Sequence, residues 1–338
     1  MEQTVSISNE VSREKGIPGS TLKIIAIITM FIDHIGAVVL EGKLSDLGMA
    51  QAMQTQEGLQ EFMAQYGVLY LMDMIMRLIG RMGFPIFCFL LIEGFMHTRS
   101  RLKYGRNLLL FALISEVPFD LAITRGMGDV PKIGGVLYPY YQNVFFTLFI
   151  GLLCMCGYEF VSRHAEEFGK NIGTKVLAWV VRITGIVLPA VVIRAMIRNY
   201  IGELPDRICW SAGILVPVLL YATVFMRRKS VASYQVLCTD VTILALGALM
   251  ADLLHTDYSS LGIVTITFMY AFRKNHVKSV LAGCIALTAF NFIEITSFFT
   301  LIPVKKYNGE RGLSMKYFFY AFYPVHLLLL YLISRYLV

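Results

Sequence analysis

The chain has 338 residues, of which 57% are hydrophobic and only 16% are charged, and its mean hydropathy is +0.64. A soluble protein carries about a quarter charged residues. The composition therefore excludes an ordinary soluble globular protein and predicts an apolar surface covered by lipid. The net charge of +7 arises in short loops between apolar runs, which favours the inner membrane surface over nucleic acid as the partner of the basic residues.

The first 20 residues are polar and predict a cytoplasmic tail rather than a cleaved signal peptide. Residues 21–338 contain no linker and no internal repeat, so they predict a single membrane domain. The six cysteines lie within apolar runs or near their ends. We expect buried thiols there, without disulfides and without a metal.

Apolar runs predict an all-α, polytopic helical bundle with roughly ten transmembrane helices. The second run carries two arginines, the fifth is interrupted and the eighth is short, so nine or eleven spans also fit. The runs cover residues 21–41, 71–96, 106–124, 141–158, 173–197, 208–226, 233–253, 260–272, 278–300 and 315–336.

The charges of the connecting segments predict the orientation. Basic clusters at 99–106, 227–229 and 273–278 fall on one side if ten helices are counted, together with the N-terminal tail. The positive-inside rule then places both termini in the cytoplasm. The basic segment Lys305–Lys316 falls on the outer side and is the one exception.

Polar residues within the runs share one depth, in the outer half of the bilayer. Helical rise places Asp33 and His34 about 10 Å below the outer end of the first run, Arg77 and Arg81 roughly 8 and 14 Å deep, and His326 roughly 14 Å deep. A charge there costs about 2.5–3.5 kcal/mol, so it requires a partner or a water-filled cavity. We therefore predict a shared pocket, to which the following residues also contribute: Glu116, Asp120, Asn143, Asp257, Tyr258, Glu294 and Tyr323.

The sequence alone leaves two questions about these residues open: what Asp33 pairs with, and what the two arginines do. His34 beside Asp33 provides a base with a possible orienting carboxylate, but adjacent helical residues do not face each other, so Asp33 can serve another partner. The two arginines can equally pair with Glu116 or Asp120 and only hold helices together. No zinc-protease, P-loop, dinucleotide or serine-hydrolase motif is present, so we expect neither a metal nor a nucleotide fold.

Several segments together resemble the TraX family, named for the F-pilin acetylase of conjugative plasmids. The match is ordered and extends from about 20 to 335, weakest over 160–235. The matching segments are LKIIAIITMFIDHIG (22–36), RLIGRMGFPIFCFLLIEGFMHTR (77–99), SEVPFD (115–120), QNVFFT (142–147), DYSSLG (257–262), YNGERG (307–312) and FYPVHLL (322–328).

The resemblance implies a membrane acyltransferase that uses acetyl-CoA and acetylates a pilin N-terminus, with kinship to enzymes that O-acetylate envelope glycans. By position, Asp33 and His34 take the family's Asp-His, Arg77 and Arg81 its arginine pair, and His326 its late histidine. We expect His34 to act as general base, with membrane lipid and an acceptor peptide, glycan or small molecule as partners. The donor phosphates are expected on Arg99, Arg101, Lys103 and Arg106.

Two other classes of function remain open. A proton-coupled transporter would use the same intramembrane Asp, His and Arg residues, although it favours paired halves with broken helices. A non-catalytic scaffold does not explain so many buried charges at one depth. The sequence leaves undecided whether an amine or a hydroxyl is acylated, and how long the acyl chain is.

Overall fold

The computed structural model describes residues 16–125, 127, 130–167, 172–226, 231–314 and 316–336. Within these ranges the protein is helical, with isolated β-bridges but no strand, which confirms the predicted all-α class. The α-helices are α1 Gly19–His34, α2 Glu41–Asp46, α3 Met49–Ala52, α4 Gln56–Gly80, α5 Gly83–His97, α6 Arg101–Ile123, α7 Val144–Arg163, α8 Ile172–Met196, α9 Asp206–Met226, α10 Val231–Leu253, α11 Ser259–Ala271, α12 His276–Phe290, α13 Leu301–Lys305 and α14 Lys316–Tyr336. Between them lie π-helices at Ile35–Leu40 and Ile197–Ile201 and 3₁₀-helices at Ala165–Glu167 and Phe292–Thr300.

The protein is a multi-pass membrane protein, but the predicted count of about ten spans is not confirmed. Ser259–Ala271 and His276–Phe290 are apolar helices too short to meet the criterion for a span. Six helical stretches in the described part of the chain are long and apolar enough: Gly19–Asp46, Gln56–His97, Val144–Arg163, Lys175–Ile201, Ser233–Leu253 and Tyr317–Tyr336.

The second predicted span, 71–96, covers only part of the helical stretch that contains it. Helices α4 and α5 form one stretch of 42 residues, interrupted only at Arg81 and Met82. At 1.5 Å per residue this stretch is about 63 Å long, roughly twice the hydrocarbon thickness of a bilayer. Its first turns are polar and exposed, so α4 extends beyond the membrane before entering it.

The first and last long helices run in the same direction. The Nζ of Lys23 lies 5.4 Å from the ring centroid of Phe319. At the other end, a Cβ at Gly42 would lie 2.9 Å from Oγ of Ser334. The end of α14 is therefore on the opposite side of the molecule from the start of α1, whereas the sequence predicted both ends on one side.

The reason is that the ninth predicted span, 278–300, folds back on itself. Helix α12 runs into the bundle and stops at Asn291. The 3₁₀-helix Phe292–Thr300 then returns beside α12, with Cys284 Sγ 3.3 Å from the carbonyl oxygen of Ser297. The returning segment runs parallel to α4 and α5, since Thr296 Oγ1 donates to the Leu78 carbonyl at 2.7 Å and Thr300 Oγ1 to the Met82 carbonyl at 3.3 Å. This re-entrant hairpin, residues 276–305, enters and leaves at the same end of the bundle.

The described residues of the basic segment Lys305–Lys316 consequently lie beside the N-terminal segment rather than on the outer side, which corrects the exception noted in the sequence. The Ile17 amide donates to the Lys306 carbonyl at 2.8 Å, and the Tyr307 hydroxyl donates to Glu93 Oε2 at 3.1 Å. Burial, and next the Glu93 carboxylate, raise the pKa of Tyr307, so the hydroxyl keeps its proton. These positive charges then obey the positive-inside rule.

The main apolar core joins α1, α5, α7, α10, α11 and α12 through fully buried side chains such as Phe89, Met155 and Ile263. Exposed side chains along α8 and α9 are also apolar, as expected of helices facing lipid. All six cysteines are free thiols, five buried and Cys156 partly exposed. The basic cluster 227–229 and most of the N-terminal tail lie outside the described residues.

Candidate functional site

A buried pair of histidines joins α1 to α14. His34 Nδ1 lies 2.6 Å from His326 Nε2, and the two rings are nearly parallel, with centroids 4.9 Å apart. His326 Nδ1 lies 2.7 Å from the Phe322 carbonyl oxygen, which can only accept, so this nitrogen carries the proton. In the neutral pair His326 Nε2 is then the acceptor and His34 Nδ1 the donor. The lone pair of His34 Nε2 is left for chemistry.

His34 is also the last residue before a change of helical form. The π-helix Ile35–Leu40 follows it directly, and π segments inside α-helices are frequent at functional sites. The change of winding rotates the residues beyond His34 relative to those before it. Nothing in the hydropathy pattern of 21–41 signals this change.

A network of ion pairs surrounds Asp33, on the other face of the same turn. Arg77 donates to Asp33 at 2.7 Å, and Arg81 lies 3.4 Å from the second oxygen of that carboxylate. Arg81 also pairs with Glu294 at 3.0 Å, and Arg77 with Glu41 at 3.2 Å. Asp33 thus serves the arginines and not His34, and the alternative pairing of the arginines with Glu116 or Asp120 is wrong.

Close approach of α1 and α4 depends on Gly80. A Cβ at this position would lie 2.2 Å from both Cβ and Oδ1 of Asp33, far inside normal contact distance. Only glycine allows the carboxylate to lie against α4 and reach both arginines. Glycine at position 80, directly before Arg81, is therefore required for the ion-pair network.

A strained loop between α10 and α11 brings Asp257 and Tyr258 to the same place. Tyr258 has a φ of 64°, which a residue with a side chain rarely adopts. Tyr258 is stacked on Phe84 with ring centroids 3.7 Å apart, and Asp257 accepts from the Tyr141 hydroxyl at 2.9 Å. Strain of this kind persists where surrounding contacts determine the conformation, commonly at functional sites.

Two adjoining cavities share Asp257 and Tyr258 as walls. The smaller, of about 50 Å³, is also lined by Asp33, His34 and Tyr323. The larger, of about 280 Å³, is lined by Arg81 and Glu294, with further walls from Tyr141, Tyr200, Thr256, Ser259, Leu261 and Asn291. The structure thus brings together most of the residues predicted from their depth.

Three of the predicted pocket residues lie behind these walls. Asn143 caps α7 and donates to the Glu116 carboxylate and, at 2.8 Å, to the Ala112 carbonyl. Asp120 accepts from the Tyr138 amide at 2.8 Å. Neither cavity, as lined by the described residues, includes Glu116, Asp120 or Asn143. Their observed contacts fix the start of α7 and the segment before it.

Sequence reasoning missed Tyr141 and Tyr200, which line the larger cavity. Tyr200 lies in the second π-helix, and its hydroxyl is 3.4 Å from the Tyr258 carbonyl oxygen. Tyrosines are common near membrane interfaces, so composition gave no reason to single out these two.

The basic residues predicted to hold the donor lie at the end of the bundle that carries the N-terminal segment. Arg99, Lys103 and Arg106 are exposed there. Arg101 is instead paired with Glu159 and lies 4.3 Å from the centroid of the Phe95 ring. No group of three His, Cys, Asp or Glu side chains within the described ranges is arranged to hold a metal ion.

Comparison with known proteins identifies the family. The sequence profile described as TraX protein matches residues 18–238 and 195–334. A probable fimbrial assembly protein of Dichelobacter nodosus, FimC of serogroup H1, is 28% identical over 145 residues, which cover 43% of this chain. The chain spans about half the length of that relative, 48%. No solved structure matches the chain. Because the family profile covers nearly all of the sequence, the chain belongs to the TraX family.

Proposed function

We propose that the protein is an acetyltransferase of the bacterial inner membrane, which moves an acetyl group from cytosolic acetyl-CoA to an acceptor reached from the outer side. The observation that carries the proposal is the histidine pair. One ring is held by a backbone carbonyl and fixes the tautomer of the other, so that His34 Nε2 keeps its lone pair beside a cavity, with no hydrogen bond to any described residue. A general base needs this arrangement.

The proposed reaction is a direct acyl transfer. The lone pair of the acceptor nitrogen or oxygen adds to the thioester carbonyl carbon, and His34 Nε2 takes the proton that the acceptor loses. The C–S bond then breaks with its electron pair on sulfur, and the proton passes from His34 to the departing thiolate. An acetyl group carried on His34 itself is a variant with the same overall balance.

Arg81 is the better placed of the two arginines to stabilise the oxyanion formed in this step. It lines the larger cavity, and its side chain is only 15% exposed. Its ion pairs hold the guanidinium in position before substrate arrives, and a preorganised donor in a site with little water contributes most to catalysis. Arg77 is 29% exposed and acts through Asp33, which makes it a positioning residue.

The charges of the larger cavity favour an amine acceptor over a hydroxyl. Asp257 and Glu294 provide two carboxylates against the one arginine that lines it, Arg81, which leaves one negative charge for an incoming ammonium. Glu294 Oε2 is buried and has no hydrogen-bond partner among the described residues, so it can accept the proton that an ammonium releases before attack. The name of the fimbrial relative supports a pilin-like N-terminus as this acceptor.

Donor binding is proposed at the cytoplasmic end, where the exposed side chains of Arg99, Lys103 and Arg106 can meet phosphates. Helix α5, whose 15 residues lie between Arg81 and Arg99, is about 22 Å long at 1.5 Å per residue. The nucleotide therefore stays at the surface, and the pantetheine arm has to reach the cavity between the helices.

The test measures binding and turnover of radiolabelled acetyl-CoA by purified protein in detergent, with a peptide that has a free N-terminus and the same peptide blocked. Wild type is compared with His34→Ala and His326→Ala, and with His97→Ala as a control at an exposed histidine. We expect binding in all four, and loss of transfer with the first variant. Transfer retained by His34→Ala would refute the proposed base.

Wild-type protein that is folded but binds no acetyl-CoA would refute the proposed acetyltransferase function as a whole. The buried Asp, His and Arg side chains would then be better explained by a proton-coupled transporter, for which proton flux in liposomes is the direct measurement.

A further inference from the structure

We infer that Arg182 binds the phosphate of an anionic phospholipid of the cytoplasmic leaflet, at the surface where α8 meets α10. The inference does not depend on the proposed acyl transfer. Arg182 lies within an apolar helix that has no other charged residue between Lys175 and Arg194. An arginine in such a helix requires an anion, a polar cavity or contact with the lipid headgroups.

The guanidinium of Arg182 is held in position by uncharged groups. Its Nε donates to Gln235 Oε1 at 3.0 Å, and its central carbon lies 5.3 Å from the ring centroid of Trp179 and 5.8 Å from that of Tyr234. Gln235 is 2% exposed and is itself fixed, since its amide nitrogen donates to the Ala178 carbonyl at 3.4 Å.

The outer two nitrogens of the guanidinium remain for a ligand. Among the described residues Arg182 forms no ion pair, and neither Nη1 nor Nη2 has a hydrogen-bond acceptor, although the side chain is partly exposed. These nitrogens carry four N–H donors in a planar fork, which matches two oxygens of a phosphate. The buried Gln235 therefore orients a cation whose charge no described carboxylate neutralises.

The guanidinium lies near the depth of the lipid headgroups. The apolar stretch begins at Lys175, seven residues before Arg182, so the backbone of Arg182 lies about 10 Å further along the helix. Helical side chains point back towards the N-terminus. Arg182 reaches Gln235 in this way, and Gln235 is only about 6 Å from Val231, the first residue of α10.

Both helices begin at the cytoplasmic end of the bundle. Helix α7 ends at Arg163, and residues 164–171 connect it to α8. Glu159, one turn before that end, pairs with Arg101 of the basic loop 99–106, which the positive-inside rule assigns to the cytoplasm. The bond of Gln235 to α8 places the start of α10 beside the start of α8.

The surroundings of the guanidinium favour a lipid over a soluble anion. Trp179 is 64% exposed, and the neighbouring Val180 and Ile183 are exposed as well, so acyl chains have an apolar face to cover. Lys175 is exposed two turns before Arg182 on the same side of the helix. A zwitterionic headgroup would bring its own cation beside these two charges, whereas an anionic one would not. Basic sites between membrane helices on the cytoplasmic side bind such headgroups.

The two tryptophans of the chain provide a reporter and a matched control. Trp179 lies beside Arg182. Trp210 lies beside Arg194, whose guanidinium carbon is 5.2 Å from its ring centroid, but Arg194 already pairs with Asp206 at 2.9 Å. Trp210→Phe leaves Trp179 as the one fluorescent tryptophan, and Trp179→Phe leaves Trp210.

The experiment measures tryptophan quenching by brominated lipid in vesicles of equal amounts of phosphatidylglycerol and phosphatidylcholine. Bromine is on one lipid or on the other, so the surface charge stays the same. A basic residue at the surface favours an anionic lipid by about fivefold. We expect phosphatidylglycerol to be enriched about fivefold or more at Trp179 and not at Trp210. Arg182→Gln should reduce the enrichment at Trp179 by about fivefold, and Arg182→Lys should retain most of it.

Four results would overturn the inference. Equal quenching by the two lipids at Trp179 is the first, and it needs no substitution at Arg182. The same enrichment at Trp210 would attribute the effect to the membrane surface as a whole. Enrichment that persists in Arg182→Gln would remove Arg182 as its cause. Inorganic phosphate that abolishes the enrichment would identify a soluble anion as the ligand.

Discussion

Substituting alanine for Gly80 tests the geometry of the site without reference to its function. The added Cβ would lie 2.2 Å from Cβ and Oδ1 of Asp33 and 2.4 Å from its Cγ, whereas carbon atoms attract at about 3.5–4.0 Å. The Asp33 side chain cannot turn aside freely, because Arg77 holds it at 2.7 Å and Arg81 at 3.4 Å. Either α1 and α4 separate or the carboxylate leaves its arginines.

Both outcomes are costly. Overpacking costs about 1–3 kcal/mol, and stranding a buried charge about 3–5 kcal/mol, against a gain of up to about 1 kcal/mol in helix propensity. We expect a net loss of about 2–4 kcal/mol, which lowers the melting temperature by roughly 5 °C or more.

Thermal unfolding in detergent measures this loss. Gly83→Ala, three residues along the chain and without a clash, is the control and should unfold at the wild-type temperature or slightly above. In an Asp33→Gly background the clashing atoms are gone, so Gly80→Ala should then cost little. Equal melting temperatures for the two single glycine variants would refute the close packing of α1 against α4.

Three further predictions follow from the site and the topology. His326→Gln should lower kcat by about 10- to 100-fold with little change in KM, as expected of an orienting partner, whereas His34→Ala should lower it by about 100- to 10,000-fold; single-turnover transfer distinguishes them. Glu294→Ala should lower the melting temperature by more than Glu294→Gln, because the amide still bonds to the buried arginine beside it. A cysteine at Lys306 should react with an impermeant maleimide from the cytoplasmic side and one at Arg335 from the outer side; labelling of both from one side would contradict the re-entrant hairpin.

The helical class, most helix positions and the common depth of the polar residues could be predicted from the sequence. Hydropathy predicts which segments lie in lipid, and a constant rise per residue converts sequence position into depth. The predicted run 208–226 coincides with α9, which is Asp206–Met226. This information sufficed to place His34, Arg81 and His326 together, because each of the three lies within a long helix or directly at the end of one.

The re-entrant hairpin could not be predicted in this way. Its two arms together are as long and apolar as one span, and a hydropathy window does not distinguish a crossing from a return. The break is a single polar residue, Asn291, whose side chain accepts from the Ile293 amide and begins the returning 3₁₀-helix. Asparagine caps are also common within soluble helical proteins, so this residue alone did not indicate a reversal of direction.

The wrong ion-pair assignment has the same origin as the wrong topology. Depth is one coordinate, and it does not state which helices are neighbours around the bundle. Treated as part of a crossing helix, Glu294 had no reason to be preferred over Glu116 as the partner of Arg81. In the structure Glu294 lies three residues past the tip of the hairpin, and the returning arm packs along α4 through the Thr296 bond to Leu78. The reversal therefore places the Glu294 carboxylate beside Arg81 and forms part of the wall of the larger cavity, so the hairpin is part of the site.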